Sequence, residues 1–297
     1  MVAQVDVRKF AKGGLRTCYK SLFKDALMPT PSRFWHDLAT TDFAALTMAR
    51  TIAVLPVAAT EQHGPHLPLS VDADLAHGIV NAALPHLPPD SPALFLPVQA
   101  IGYSPEHASF SGTLTFKAET VIRLWAEIAE SVAASGVRKL LIFNTHGGNV
   151  GLLDVVARDL RTRLGLLAYT TSWFNLPLIG PDGDDVSARF SAGEHRFGVH
   201  AGQIETAMMR ALKPERVRME AAQDFHSTSR DRAKVFPILG NGKSAKLAWA
   251  AQDYNPAGAM GNAAAATAED GRALLEASGR ALAQLIGEID RLPWPAS

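Results

Sequence analysis

The stretch Val54-Leu55-Pro56-Val57-Ala58-Ala59-Thr60-Glu61-Gln62-His63-Gly64-Pro65-His66-Leu67-Pro68-Leu69-Ser70-Val71-Asp72 joins an apolar run to a loop crowded with Glu, His and Asp. The run from Ile52 to Val57 is rich in β-branched and apolar residues, which predicts a buried strand. In α/β proteins, ligand chemistry gathers where strands end and loops begin. The segment therefore reads as half of a metal site, with the other half expected at the end of another strand.

Outward from this stretch the chain alternates between strand and helix. Leu75 to Leu84 is apolar at helical spacing and is stopped by Pro85 and Pro88. Leu94 to Val98 is a short apolar run, and Gly102 to Gly112 is loop-like. Thr120 to Ala134 carries Val121, Leu124, Trp125, Ile128 and Val132 on one stripe, which predicts an amphipathic helix ended by Gly136. Leu140 to Phe143 and Leu166 to Thr171 read as further strands, and Asn149 as the N-cap of a helix over Val150 to Leu164. Beyond a loop from Pro177 to Gly198, a helix is expected at Ala201 to Leu212. An irregular region over 220 to 262 follows, and one alanine-rich helix, Ala263 to Arg291, closes the chain with Gly271 and Gly279 in it. This alternation implies an α/β protein with a mostly parallel sheet covered on both faces.

No repeat or strong linker divides the chain, so residues 46–297 are expected to form one domain. Residues 1–45 read as an N-terminal extension, basic at first, broken at Pro29-Thr30-Pro31-Ser32, with Phe34-Trp35 and Phe43 available to pack on the main body. The 297 residues are 47% hydrophobic, which suffices for a large core. The 29 basic side chains balance 29 acidic ones, which argues against a nucleic acid or a membrane surface as partner. One cysteine excludes an intrachain disulfide and any cysteine-rich metal site. Apolar runs too short to span a bilayer and the lack of a signal-like core lead us to expect a cytoplasmic protein.

Glu61 and His63 are two apart, so an extended segment turns both to one side. Asp72 can return to them across the intervening loop, whereas Asp74 suits a helix start. His146, in Asn144-Thr145-His146-Gly147-Gly148-Asn149, also follows a buried strand and precedes a helix. In His200-Ala201-Gly202-Gln203-Ile204-Glu205-Thr206, His200 reads as lying just before a helix, with Glu205 on its second turn. A buried Glu there needs a partner charge or a metal. Carboxylates and imidazoles without thiolates suit Zn, Mn or Fe, as one divalent ion or two.

These motifs resemble the creatininase (creatinine amidohydrolase) family. Phe110-Ser111-Gly112-Thr113-Leu114 is similar to its Phe-Pro-Gly-Thr-Leu element, with Ser111 in place of Pro, and Gly261-Asn262 and Ala266 to Gly271 are similar to its C-terminal stretch. The resemblance implies a three-layer α/β/α sandwich and a metal-dependent amidohydrolase in which a metal-bound water attacks a C–N bond of a cyclic or linear amide. It also implies a homohexamer. Glu61, His63, Asp72 and His146 match family metal ligands, with Asp72 as the bridge. Creatininase itself has a Tyr-Glu pair where this chain has Gly147-Gly148, and Glu205 is the expected replacement for that carboxylate. His200 is the expected proton shuttle, and Trp173, His107 and Arg196 the expected substrate contacts. Arg196 and Val199 stand where creatininase has Trp and Glu, and Gln203 where many members have Glu, so creatinine is not the expected substrate. Formylamino-pyrimidine, inosose and peptide substrates occur elsewhere in the family. A degenerate metal- or ligand-binding protein is the non-enzymatic alternative. A nucleotide-binding module is disfavoured, because Thr145-His146-Gly147-Gly148-Asn149 lacks a P-loop lysine and dinucleotide spacing.

Overall fold

The computed structural model describes residues 32–293. The basic run expected to form most of the N-terminal extension lies outside them. From residue 32 the chain enters through a 3-10 turn, Trp35–Asp37, and a short helix α1 (Thr40–Ala45). Phe34 packs its ring against Phe95, and Trp35 packs against Phe43.

Strand β1 (Ile52–Val57) is buried along its whole length. It pairs in parallel with β2 (Ala93–Phe95) on one side and β3 (Lys139–Asn144) on the other, and β3 pairs in parallel with β4 (Leu167–Ser172). The sheet order is β2-β1-β3-β4. Alternate residues face opposite layers, as a period of two requires. Ile52 and Val54, with Phe95, Leu141 and Phe143, face a core shared with helices α2 (Val71–Ala83), α6 (Gln203–Leu212) and α9 (Ala268–Arg291). Ala53, Leu55 and Val57, with Leu140 and Ile142, face α3 (Ala118–Ala134) and α4 (Val150–Leu164). The result is the α/β/α sandwich, and the apolar-on-both-faces strands are what such a sheet demands. Gly271 and Gly279 let α9 run against its neighbours, since a Cβ there would strike the backbone of Ala207 and of Ala82.

Several boundaries differ from the sequence reading. Helix α2 begins at Val71 instead of Leu75, because the polar turn Asp72-Ala73-Asp74 suits a helix N-terminus even though it lacks an apolar stripe. Helix α9 begins at Ala268, where the Thr267 side chain accepts the Asp270 N–H, and residues 263–265 form a separate 3-10 turn. The regions expected to be loop and irregular contain short elements: α5 (Ala192–Phe197), a two-strand pairing of β5 (Asp224–Phe225) with β6 (Gly261–Asn262), α7 (Thr228–Val235) and α8 (Ala251–Tyr254). Asn149 is not a side-chain cap. It accepts the Tyr103 N–H and donates to Ala58 O and Asn144 Oδ1, tying three loops together at the C-terminal edge of the sheet.

Candidate metal centre

The parallel strands all end at one edge, and the loops leaving β1 and β3 carry their ionisable residues there. After β1 the chain doubles back: Glu61 N–H donates to Leu69 O, and His63 bridges Leu67. This returns the chain to the start of α2 and brings Asp72 beside His63. His146 follows β3 directly. Ala201 links His200 to α6 with φ 52, a left-handed conformation uncommon for a residue with a side chain. Its N–H donates to Glu205 Oε2 at 2.6 Å, and Glu205 lies on the first turn of α6, not the second.

The side chains converge. His63 Nε2 is 3.9 Å from both Asp72 Oδ2 and Glu205 Oε2. Glu61 Oε2 is 3.3 Å from His146 Nε2, and Glu61 Oε1 is 3.3 Å from His107 Nε2 and 3.6 Å from His200 Nδ1. His146 Nδ1 is 3.7 Å from Asp72 Oδ2. Glu61, His63, Asp72, His107, His146 and His200 are all buried. Yet both Glu61 carboxylate oxygens, His63 Nε2 and Asp72 Oδ2 have no hydrogen-bond partner. Buried polar atoms without partners cost on the order of 1–3 kcal/mol each, so four in one place fit a site for a cation. The donor set of oxygens and imidazole nitrogens fits a divalent metal, and the residues fall into overlapping groups that can hold one: Glu61-His63-Asp72, His63-His200-Glu205, Glu61-Glu106-His146 and Glu61-His107-His200.

The imidazoles are held from behind. His63 Nδ1–H donates to Glu61 O at 3.1 Å, leaving Nε2 bare. His200 Nε2–H donates to Gln62 O at 2.7 Å, leaving Nδ1 bare toward Glu61. His146 Nε2 lies against Tyr103 O at 3.0 Å and Ser104 Oγ at 3.2 Å, with Nδ1 toward Asp72. Main-chain carbonyls behind metal-binding imidazoles set their tautomer in this way.

The electrostatics describe a pocket that balances itself with protons when it holds no cation. Burial alone would raise the Glu61 carboxyl, but His146, His200 and His107 outweigh it and hold it well below the usual carboxylate range. Burial works against a charge on His146, yet Glu61, Asp72 and Glu106 push its imidazole up to about 10. Burial raises Asp72, with the Glu61 charge adding to the effect, and it also raises Glu205 and Glu106. Burial and the neighbouring His200 push His63 down and His107 down to about 3.

The other sequence candidates sort as follows. Asp74 pairs with Lys213 at 2.6 Å and accepts from Ser70, as a helix-start residue. Trp173 follows β4 at the same sheet edge, its indole Nε1 buried without an acceptor. Arg196 donates to Gly240 O, lies over the Phe197 ring at 4.9 Å and lines a separate cleft with His226, Arg230 and Lys234. Two contributors were not singled out from the sequence. Glu106, in the turn Pro105–His107, reaches 3.8 Å from His146. Glu194, 2% exposed, accepts the N–H groups of Gln203 at 2.6 Å and Asn262 at 3.0 Å, and so ties the residues that follow His200 to β6. The glycines that crowd it, Gly198, Gly202 and Gly261, were the available signal.

A family model described as creatinine amidohydrolase, or creatininase, matches residues 36–286. The chain is 31% identical over 230 residues to a Mycobacterium tuberculosis protein named mycofactocin precursor peptide peptidase, spanning 75% of this chain and 80% of the relative. It is 26% identical over 197 residues to a creatinine amidohydrolase of Pseudomonas putida, spanning 63% and 74%. The solved structure of a creatinine amidohydrolase (creatininase) shares the fold with a TM-score of 0.66 at 24% identity, covering 90% of this chain and all of that one (100%).

Proposed function

Because this chain belongs to the creatininase family, a family of hydrolases acting on C–N bonds, we propose that it is a metal-dependent hydrolase of an amide-like substrate other than creatinine. The observation that carries this reading is the set of buried, partnerless atoms of Glu61, His63 and Asp72 at one point of the sheet edge. Glu61, His63, Asp72, His146 and Glu205 would hold one or two divalent ions of zinc, manganese or iron, with Asp72 shared between them. Such an ion supplies Lewis acidity, lowering the pKa of water and polarising a carbonyl oxygen.

The chain's own groups do the rest. His200 has its Nε2–H tied to Gln62 O, so its bare Nδ1 is the atom that accepts a proton from water and passes it to the leaving nitrogen as the C–N bond breaks. Trp173 offers an unused indole N–H to the substrate, whereas Arg196, engaged with Gly240 O and Phe197 in a separate cleft, is not assigned a substrate contact. The higher identity to a protein named as a peptide peptidase favours a linear peptide amide over a cyclic one. A homohexamer is proposed for the assembly, and the exposed run Val235, Phe236, Ile238 and Leu239 supplies an apolar face for a subunit contact.

Elemental analysis tests the metal reading directly. The purified protein should carry zinc, manganese or iron, and Asp72→Ala should lose it. Full metal content in Asp72→Ala would remove Asp72 from the site. A panel of cyclic amides and short peptides then separates an active hydrolase from a binding protein with a degenerate site.

A further inference from the structure

Four imidazoles surround the carboxylates of this centre, and three follow one pattern. His63, His200 and His146 each have one ring nitrogen against a main-chain oxygen and the other turned to a carboxylate, and the His146 nitrogen against Tyr103 O also lies 3.3 Å from Glu61 Oε2. His107 does not. Its Nδ1 faces the carboxamide nitrogen of Gln62 at 2.7 Å.

The orientation of that carboxamide is fixed by the backbone. Gln62 Oε1 accepts the Gly64 N–H at 2.9 Å, and Gln62 Nε2 donates to Gly258 O at 2.8 Å. Reversing the amide would set an N–H against an N–H and an oxygen against an oxygen. One hydrogen of Nε2 is used on Gly258, and the other is left for His107 Nδ1. His200 Nε2, 3.3 Å from the same nitrogen, already gives its own hydrogen to Gln62 O. An amide nitrogen only donates, so His107 Nδ1 must accept. The neutral His107 ring therefore carries its hydrogen on Nε2, the atom that lies 3.3 Å from Glu61 Oε1.

We infer that His107 stands outside the metal-ligand set and acts as a positioning residue, whose protonated Nε2 lies beside Glu61 Oε1 in a charge contact and whose tautomer is imposed by Gln62. The relay runs from the Gly64 and Gly258 backbone through the Gln62 side chain and His107 to the carboxylate. It leaves Glu61 Oε2 on the His146 side for the cation. His107 satisfies the spacing of a ligand beside Glu61 and His200, but the nitrogen it presents is already protonated. Its ring is held in place by stacking on His200, with centroids 4.2 Å apart, and by the edge of Trp249. The inference rests on the metal-site reading above but makes a claim of its own about one hydrogen.

Long-range proton–nitrogen NMR of the ¹⁵N-histidine-labelled full chain reads that hydrogen, first metal-free and then loaded with zinc. The resonance is assigned by its loss in His107→Gln. The expected result is a protonated Nε2 and a bare, hydrogen-bonded Nδ1 at His107 in both states. A protonated Nδ1, or Nε2 bound to zinc, overturns the proposal. Gln62→Glu replaces the donor with an acceptor, so it should move the hydrogen to Nδ1. Removing this outer support should weaken zinc binding by about 10–100-fold in chelator competition without changing the stoichiometry. His107→Gln retains a distal N–H and should hold zinc within a few-fold of the parent, whereas His107→Leu should not. Equal loss of a zinc equivalent in both His107 variants would make His107 a ligand and overturn the proposal. If the parent chain takes up none of zinc, manganese and iron, the metal-dependent hydrolase reading fails, while the metal-free tautomer still decides the claim about Gln62 and His107.

Discussion

Glu106 lies where a side chain on Gly148 would have to go. A Cβ at Gly148 would meet Glu106 Oε1, Tyr103 O and His146 Nε2 together. The glycine after Gly147 is therefore a matter of space, and it lets a carboxylate from the Pro105–His107 turn come up beside His146. Gly148→Ala should weaken cation retention by at least about tenfold, as other disturbances of supporting groups do. Because the strands are untouched, circular dichroism of the variant should match the parent while its metal content by mass spectrometry falls.

Loading the site should release protons. At neutral pH His146 carries a proton, and Asp72 and Glu205 are raised toward holding theirs, so an incoming cation displaces them. Affinity should rise with pH, and calorimetry in buffers of different ionisation enthalpy should show net proton release. The metal-free protein has a matching stability signature. The folded pKa of His146, about 10, exceeds its unfolded value of about 6.5, so its contribution is full below the unfolded value and is lost as pH rises through the folded one. Thermal melts of chelated protein should therefore fall between roughly pH 6.5 and pH 10. Melts of loaded protein should fall less.

Glu194 clamps the residues after His200 to β6. Replacing it with Gln puts an amide nitrogen or an uncharged oxygen against main-chain N–H groups that now share a carboxylate. Glu194→Gln should cost about 1–3 kcal/mol in urea unfolding. The same change should lower turnover more than substrate affinity, because His200 loses its support.

Lys139 opens β3 and sends its ammonium into the C-terminal end of α9, donating to Ile289 O, Asp290 O and Leu292 O. Burial lowers its pKa, so the carbonyls and the helix dipole are what keep it in place. Lys139→Met keeps the stem but abandons three carbonyls, and should destabilise the fold by about 2 kcal/mol without altering metal content.

What could be read in advance follows the range of the forces involved. Strand β1 and helix α4 match the sequence reading residue for residue, because alternation, apolar runs and stop signals are local. Glu61, His63, Asp72, His146, His200 and Glu205 were legible because ionisable residues at strand and helix ends are conspicuous in an apolar chain. Asn149, Glu106, Gln62 and Glu194 were misread or passed over for the opposite reason. Their partners lie far off in sequence, and nothing local distinguishes an asparagine that caps a helix from one that ties Tyr103, Ala58 and Asn144 together. The short elements α5, α7 and α8 lack the length from which a period can be read.

The side chains proposed to hold a cation come from the loops after β1 and β3 and the first turns of α2 and α6, and they meet only once the parallel strands have paired. An unfolded chain offers an ion no more than scattered single contacts. All of the binding free energy therefore accrues to the finished structure, on the order of 2.7 kcal/mol when free ion stands a hundredfold above its dissociation constant. On the proposed site, metallation would act as a thermodynamic latch on the folded scaffold. A chelator should open the latch and leave the scaffold standing.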